Sequence, residues 1–154
     1  MTLYLLSLFI GIVAGLRAMT APAAVSWAVH AGLLDLSGSW LAFMGYRFTP
    51  WIFSVLAAVE LITDKLPGTP SRKVPQQFGA RILSGALCGA TIGAGGGLLV
   101  GGAILGAVGA VIGTLGGAAV RARLAAIFGR DRPAAVIEDL VAVIGAAVMV
   151  LSLA

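Results

Sequence analysis

The chain has 154 residues, 60% of them hydrophobic and only 10% charged, with a mean hydropathy of +1.06 and a net charge of +4. Soluble domains carry about 25% charged residues, so these values exclude a water-facing globular surface and imply an integral membrane protein. At about 20 residues per helical span, the length allows five or six spans in one all-α domain over residues 1–154.

Residues 3–16 are apolar, and Arg17 breaks the run before Ala18-Met19-Thr20-Ala21-Pro22. Proline removes a donor and disfavours helix at the residue before it. The chain therefore either kinks near Thr20 or ends one helix there and starts a shorter one reaching about Leu34. With no charge ahead of Arg17, the N-terminus reads as a retained span rather than a signal peptide. Residues 35–45 form a mixed loop with Trp40 as an interfacial anchor. A span starts at Pro50, a favoured first-turn residue. It runs to Leu66 carrying Glu60, Asp64 and Lys65, and Pro67-Gly68-Thr69-Pro70 ends it. A polar, basic loop leads to Gln77.

Residues 79–117 hold 14 of the 22 glycines. Gly85, Gly89, Gly93, Gly97 and Gly101 recur every fourth residue, and Gly109, Gly113 and Gly117 resume the spacing. Each Gly costs about 1 kcal/mol against Ala in a water-exposed helix, whereas a bilayer enforces helix because unbonded amides are costly there. The stretch thus predicts two membrane helices, 77–95 and 98–126, turning at Gly95-Gly96-Gly97. Small-residue faces of the glycine-zipper kind let a partner helix approach closely. They are also the candidate interface of a homodimer. A basic turn at 129–133 precedes a last helix with Glu138 and Asp139 in its first turns.

The loops at 65–76 and 121–132 are both basic, which the positive-inside rule assigns to the cytoplasm. The C-terminus is then outside, and the N-terminus is outside only if the chain turns at residues 20–22. The same distribution argues against nucleic acid as a partner. Residues 15–21 and 79–85 share the pattern Gly, apolar, Arg, apolar, apolar, hydroxyl, small. Each half closes with paired carboxylates, so the halves 1–70 and 76–154 are candidates for an inverted repeat of three plus three helices.

Charges inside a bilayer cost at least about 2.5–3.5 kcal/mol and normally face the protein interior and pair. Arg17, Glu60, Arg81 and Glu138 fall on four segments and are expected to meet on a substrate or ion pathway, with Thr20, Asp64, Ser84 and Asp139 beside them. The competing readings are structural. Arg17 and Arg81 reach the headgroups from helix ends, Glu138 and Asp139 favour a helix N-terminus, Asp64 and Lys65 are interfacial, and the hydroxyls bond their own backbone. Glu60, deep in an apolar run, is the best single functional candidate. His30 and Cys88 have no second His or Cys to share a metal. No phosphate loop, dinucleotide fingerprint or nucleophile with a base is present. No catalytic residue, cofactor or metal is therefore assigned.

The motifs Gly-Leu-Arg-Ala-Met-Thr-Ala-Pro-Ala (15–23), Asp-Lys-Leu-Pro-Gly-Thr-Pro-Ser-Arg (64–72), Ala-Arg-Ile-Leu-Ser-Gly-Ala-Leu-Cys-Gly (80–89) and Glu-Asp-Leu-Val-Ala (138–142) together resemble the bacterial membrane-protein family catalogued as domain of unknown function 4126. The resemblance covers nearly the whole chain. It implies a bacterial inner-membrane protein and supplies no activity. The expected function is a transporter or channel for a small polar or anionic solute, not an enzyme. A structural or assembly protein is the alternative, and a lipid-modifying enzyme has less support.

Overall fold

The computed structural model describes all 154 residues as a helical bundle without strands. Its helices are α1 (Thr2–Leu16), α2 (Thr20–His30), α3 (Thr49–Thr63), α4 (Pro75–Ala94), α5 (Leu99–Phe128) and α6 (Asp131–Leu151), with a 3-10 turn at Trp40–Gly45. The boundaries follow the expected ones closely. α1 stops because Arg17 is extended, with φ −140° and ψ 111°. Pro22 sits in the first turn of α2, where the missing N–H would have no helical acceptor anyway. The chain therefore turns at this point instead of kinking. Met19 lies beside Glu60 at one end of α2, and Leu34, just beyond its other end, touches Gly95. Gly97 takes φ +72° in the turn between α4 and α5, a conformation that costs other residues strain.

Three helices form the centre. α1 runs in the same direction as α5, with Tyr4 against Gly101 and Gly15 against Gly113, and opposite to α4, with Ser7 donating to the Gly89 carbonyl at 3.1 Å. Gly85, Gly89 and Gly93 on α4 meet Gly102 and Gly106 on α5, backbone against backbone. Gly109 and Gly113 present another face of α5 to Leu8 and Ile12 of α1, and Gly11 meets Gly106. One helix thus uses two glycine faces for two neighbours. The stripes are spent inside one chain, so they are not the surface on which a second copy docks. Small and branched side chains fill the remaining interior, among them Ile10, Val13, Val25, Cys88, Ile92 and Met149.

The outside of the bundle is apolar. Val100, Ile104, Val108, Ile112 and Leu115 along α5 are 45–68% exposed, and α3 buries only Pro50. α5 and α6 are each long and apolar enough to cross a membrane by length and composition, while α1 and α3 are apolar but shorter at 15 residues.

The seven-residue likeness falls on unlike local structure. Residues 15–21 straddle the break between α1 and α2, whereas residues 79–85 lie inside α4. Glu60 is in the last turn of α3 and Glu138 in the second turn of α6, and both face the same end of the bundle.

Candidate functional site: a charge network at one end of the bundle

The break at residues 17–19 leaves backbone groups without helical partners, and the site is built around them. Arg81 Nη1 donates to the Gly15 and Leu16 carbonyls at 2.9 and 2.6 Å, and Thr114 Oγ1 donates to the same Gly15 carbonyl at 3.2 Å. Ser84 Oγ donates to the Ala18 carbonyl at 2.5 Å. The Ala18 and Met19 N–H groups donate to the two Glu60 carboxylate oxygens at 2.8 Å each. Glu60 is therefore first a cap for an interrupted helix, since buried amides need acceptors. Glutamine at this position would satisfy one amide and turn an NH2 group toward the other. Glu60→Gln is expected to cost about 1–3 kcal/mol and to speed amide hydrogen exchange selectively at Ala18 and Met19. Unchanged exchange at both would contradict the capping role.

Arg17 points into the protein and is fully buried. Its Nη1 pairs with Asp64, and its Nη2 lies 2.5 Å from Asp139, whose other oxygen meets Lys65 Nζ at 2.6 Å. Arg81, 2% exposed, brings Nη2 within 3.7 Å of Glu60 and 3.8 Å of Asp64. Glu138 pairs through both oxygens with Arg72, at 2.6 Å for the Nη2 contact, and with Arg121 Nη1 at 3.2 Å. Asp131 holds the other edge of Arg121, accepting from Nε at 2.8 Å and Nη2 at 2.6 Å.

Arg17, Glu60, Asp64, Arg81 and Asp139 thus belong to one ion-pair cluster, with Lys65, while Glu138 belongs to a second, with Arg72, Arg121 and Asp131. Thr20 lies nearby with its buried hydroxyl unbonded, and Ser84 serves the Ala18 carbonyl. Two expectations need correction. Neither Arg17 nor Arg81 reaches out to headgroups, because the Nη groups of Arg17 point at carboxylates and those of Arg81 at backbone carbonyls and carboxylates inside the bundle. Arg17 pairs with the aspartates, and the partners of Glu138 are Arg72 and Arg121, which the sequence had suggested only as topology markers. Asp64, at the end of α3, pairs with the most buried arginine. Arg121 had a usable signal: it continues the spacing of Gly109, Gly113 and Gly117, so it shares their inward face. Arg72 had none, since it reaches Glu138 from a loop.

The two clusters together contain five cations (Arg17, Lys65, Arg81 in one, Arg72 and Arg121 in the other) and five of the chain's six carboxylates (Glu60, Asp64, Asp139 and then Asp131, Glu138). Each is self-neutral, and the whole net charge of +4 is carried outside them. The remaining carboxylate, Asp35, lies toward the other end, where the Ser37 backbone N–H and hydroxyl hold its carboxyl below the usual aspartate value. His30 Nδ1 is 3.0 Å from the Gly45 carbonyl, away from the two clusters.

Beside these charges is a cavity of about 370 Å³ between the segment joining α3 to α4 and the ends of α5 and α6. Arg72, Arg81, Arg121, Asp64, Asp131 and Gln77 line it, and the strand of loop from Leu66 to Arg72 borders it. That loop folds back on α3, with Thr69 Oγ1 donating to the Thr63 carbonyl at 2.6 Å. Gly68 adopts φ +90° within it. Arg81 Nε and Arg17 Nε are buried without an acceptor. Such orphaned charged donors are uncommon in proteins and call for an explanation. Toward the other end of the bundle, Ile10, Val13, Val25 and Ile92 close the interior with at most 2% exposure each.

Comparisons with protein-family models, with curated proteins and with solved structures return no match to this chain.

Proposed function

We propose that this chain is a bacterial inner-membrane protein whose six helices all cross the bilayer, and that it moves a small polar or anionic solute by way of the cavity at its charged end. The likeness to the family named above fits this reading. So do the apolar exterior and the low charge content, since an apolar outer face is what lipid solvates well. Lys73, Arg123, Arg130 and Arg132 lie in or near the two loops at the cavity end, outside the neutral clusters. By the positive-inside rule that end is cytoplasmic, and both termini then lie outside. The cavity is accordingly a vestibule open to the cytoplasm and closed above by the apolar core, as one side of an alternating-access cycle would be.

The observation that carries the solute reading is the cavity lining itself, where Arg72, Arg81 and Arg121 outnumber Asp64 and Asp131. A cleft lined mainly by one sign of charge favours a ligand of the other sign. Proteoliposomes loaded with phosphate, acetate or glycerol test the proposal. Release of at least one solute faster than from protein-free vesicles is expected, with loss of that release in a correctly inserted Arg81→Ala protein. Equal release from empty and protein-bearing vesicles for all three would refute transport.

One observation favours a second reading, that of a structural or assembly protein. The clusters are each neutral and several of their members are engaged by the backbone, so they can serve only to fix helix register. That reading requires no solute flux and no anion binding from a stable, correctly inserted protein.

A further inference from the structure

We infer that Glu138 is the resident occupant of an oxyanion clamp formed by Arg72 and Arg121, and that the solute is a small oxyanion, a carboxylate or a phosphate, which takes its place. The inference rests on the reading of the adjoining cavity as the solute site, and it names the ligand class and the competition that governs it.

The geometry of the clamp matches that class. Both Nη atoms of Arg72 face the two Glu138 oxygens, the forked arrangement in which guanidinium recognises carboxylate or phosphate. Arg121 adds a third donor at 3.2 Å. Asp131 anchors Arg121 along its Nε–Nη2 edge, so only Nη1 remains to point at an anion. Arg72, Arg121 and Arg81 all line the cavity. An oxyanion in the cavity therefore finds two guanidiniums held in place by carboxylates and a third positive group beside them.

Glu138 is also a replaceable carboxylate. Glu60 holds two backbone amides, and its removal strands them. The hydrogen bonds of Glu138 go only to the two arginine side chains. Another oxyanion can accept all of them without exposing an unpaired backbone group. Displacing Glu138 also unlatches the loop from Leu66 to Arg72, because Arg72 is its ion-pair tie to α6. Occupancy of the cavity and release of its border are then one event.

Titration calorimetry of the whole protein in detergent, with inorganic phosphate and with acetate against chloride at equal ionic strength, tests this directly. Glu138→Gln is expected to bind one of the two at least ten-fold more tightly than the parent protein. Adding Arg72→Ala or Arg121→Ala should remove the gain. Glu138→Asp, which withdraws the carboxylate by one methylene, should lie between and covers the case in which glutamine impairs folding. If the parent protein binds an oxyanion and neither Glu138 variant binds it more tightly, the inference fails while the solute site stands. A gain that survives both arginine substitutions also overturns it. Absence of binding by the parent and by both variants overturns the clamp and the solute site together.

Discussion

Arg17→Met is expected to cost about 3–5 kcal/mol of stability, the penalty for removing one partner from a buried ion pair. The substitution leaves Asp64 and Asp139 beside each other, with Lys65 on Asp139 and only the 3.8 Å contact of Arg81 on Asp64. Volume is nearly conserved, so the loss isolates charge from packing. Reversible unfolding in mixed micelles at neutral pH measures it. Combining Arg17→Met with Asp64→Asn and Asp139→Asn should recover much of the loss, because no buried carboxylate then lacks a cation. A single Arg17→Met protein within 1 kcal/mol of the parent would show that water reaches the site freely and that the pair acts as a surface one. Arg17→Lys is expected to recover only part, since an ammonium group cannot serve two aspartates through separate arms of a planar fork.

The second large effect is predicted for Gly106→Ala. A methyl group there collides with the Gly85 carbonyl and the Gly89 Cα on α4, while the Gly106 backbone already abuts Gly11 of α1. The neighbours are backbone atoms of α4, so no rotamer change relieves the overlap. Overpacking typically costs about 1–3 kcal/mol and occasionally more. The upper end or beyond is expected here, because α4 would have to retreat from α5, whose backbone at the same residue is already packed on α1. Gly116→Ala on the same helix is the control. No atom of a neighbouring element lies within 4 Å of its added methyl group, so stability should stay level or rise slightly. Equal behaviour of the two variants in micellar unfolding would show that close backbone approach does not hold the central helices. Gly106→Val should fail to assemble the three-helix centre at all.

The two predictions locate stability in different physical sources. At Gly106 it comes from dispersion between backbones brought together by missing side chains, which matters in lipid because hydrophobic exclusion does not drive helices together there. At Arg17 it comes from compensating charge taken out of water. The regions meet at Gly15, whose missing side chain admits α5 and whose carbonyl accepts from Arg81 and Thr114. Close packing thus sets the distance at which the arginine side chain finds the broken backbone.

Much of the architecture was legible in the residues. Hydropathy, the proline at 22, the glycine turn at 95–97 and the basic turn before α6 placed every helix to within a few positions, because each is a local signal acting on neighbouring backbone. The four-residue glycine spacing likewise announced close helix contact. It did not say with which helix, and the answer, α1 and α4 together on two faces of α5, depends on the crossing of segments far apart in sequence. The likeness of 15–21 to 79–85 shows the same limit, since similar local residues serve a helix end in one case and a helix interior in the other.

The sequence alone determined the solvent class the chain suits, the helix boundaries and the fact that a few charges must be gathered inside, since these follow from composition, period and the cost of burying an unpaired charge. Tertiary structure alone decided who pairs with whom. Ion pairs between residues dozens of positions apart have no local sequence signature, so the bonds of Arg17 to the aspartates, of Glu60 to two amides and of Glu138 to Arg72 and Arg121 appear only once the helix ends are brought to one face of the bundle.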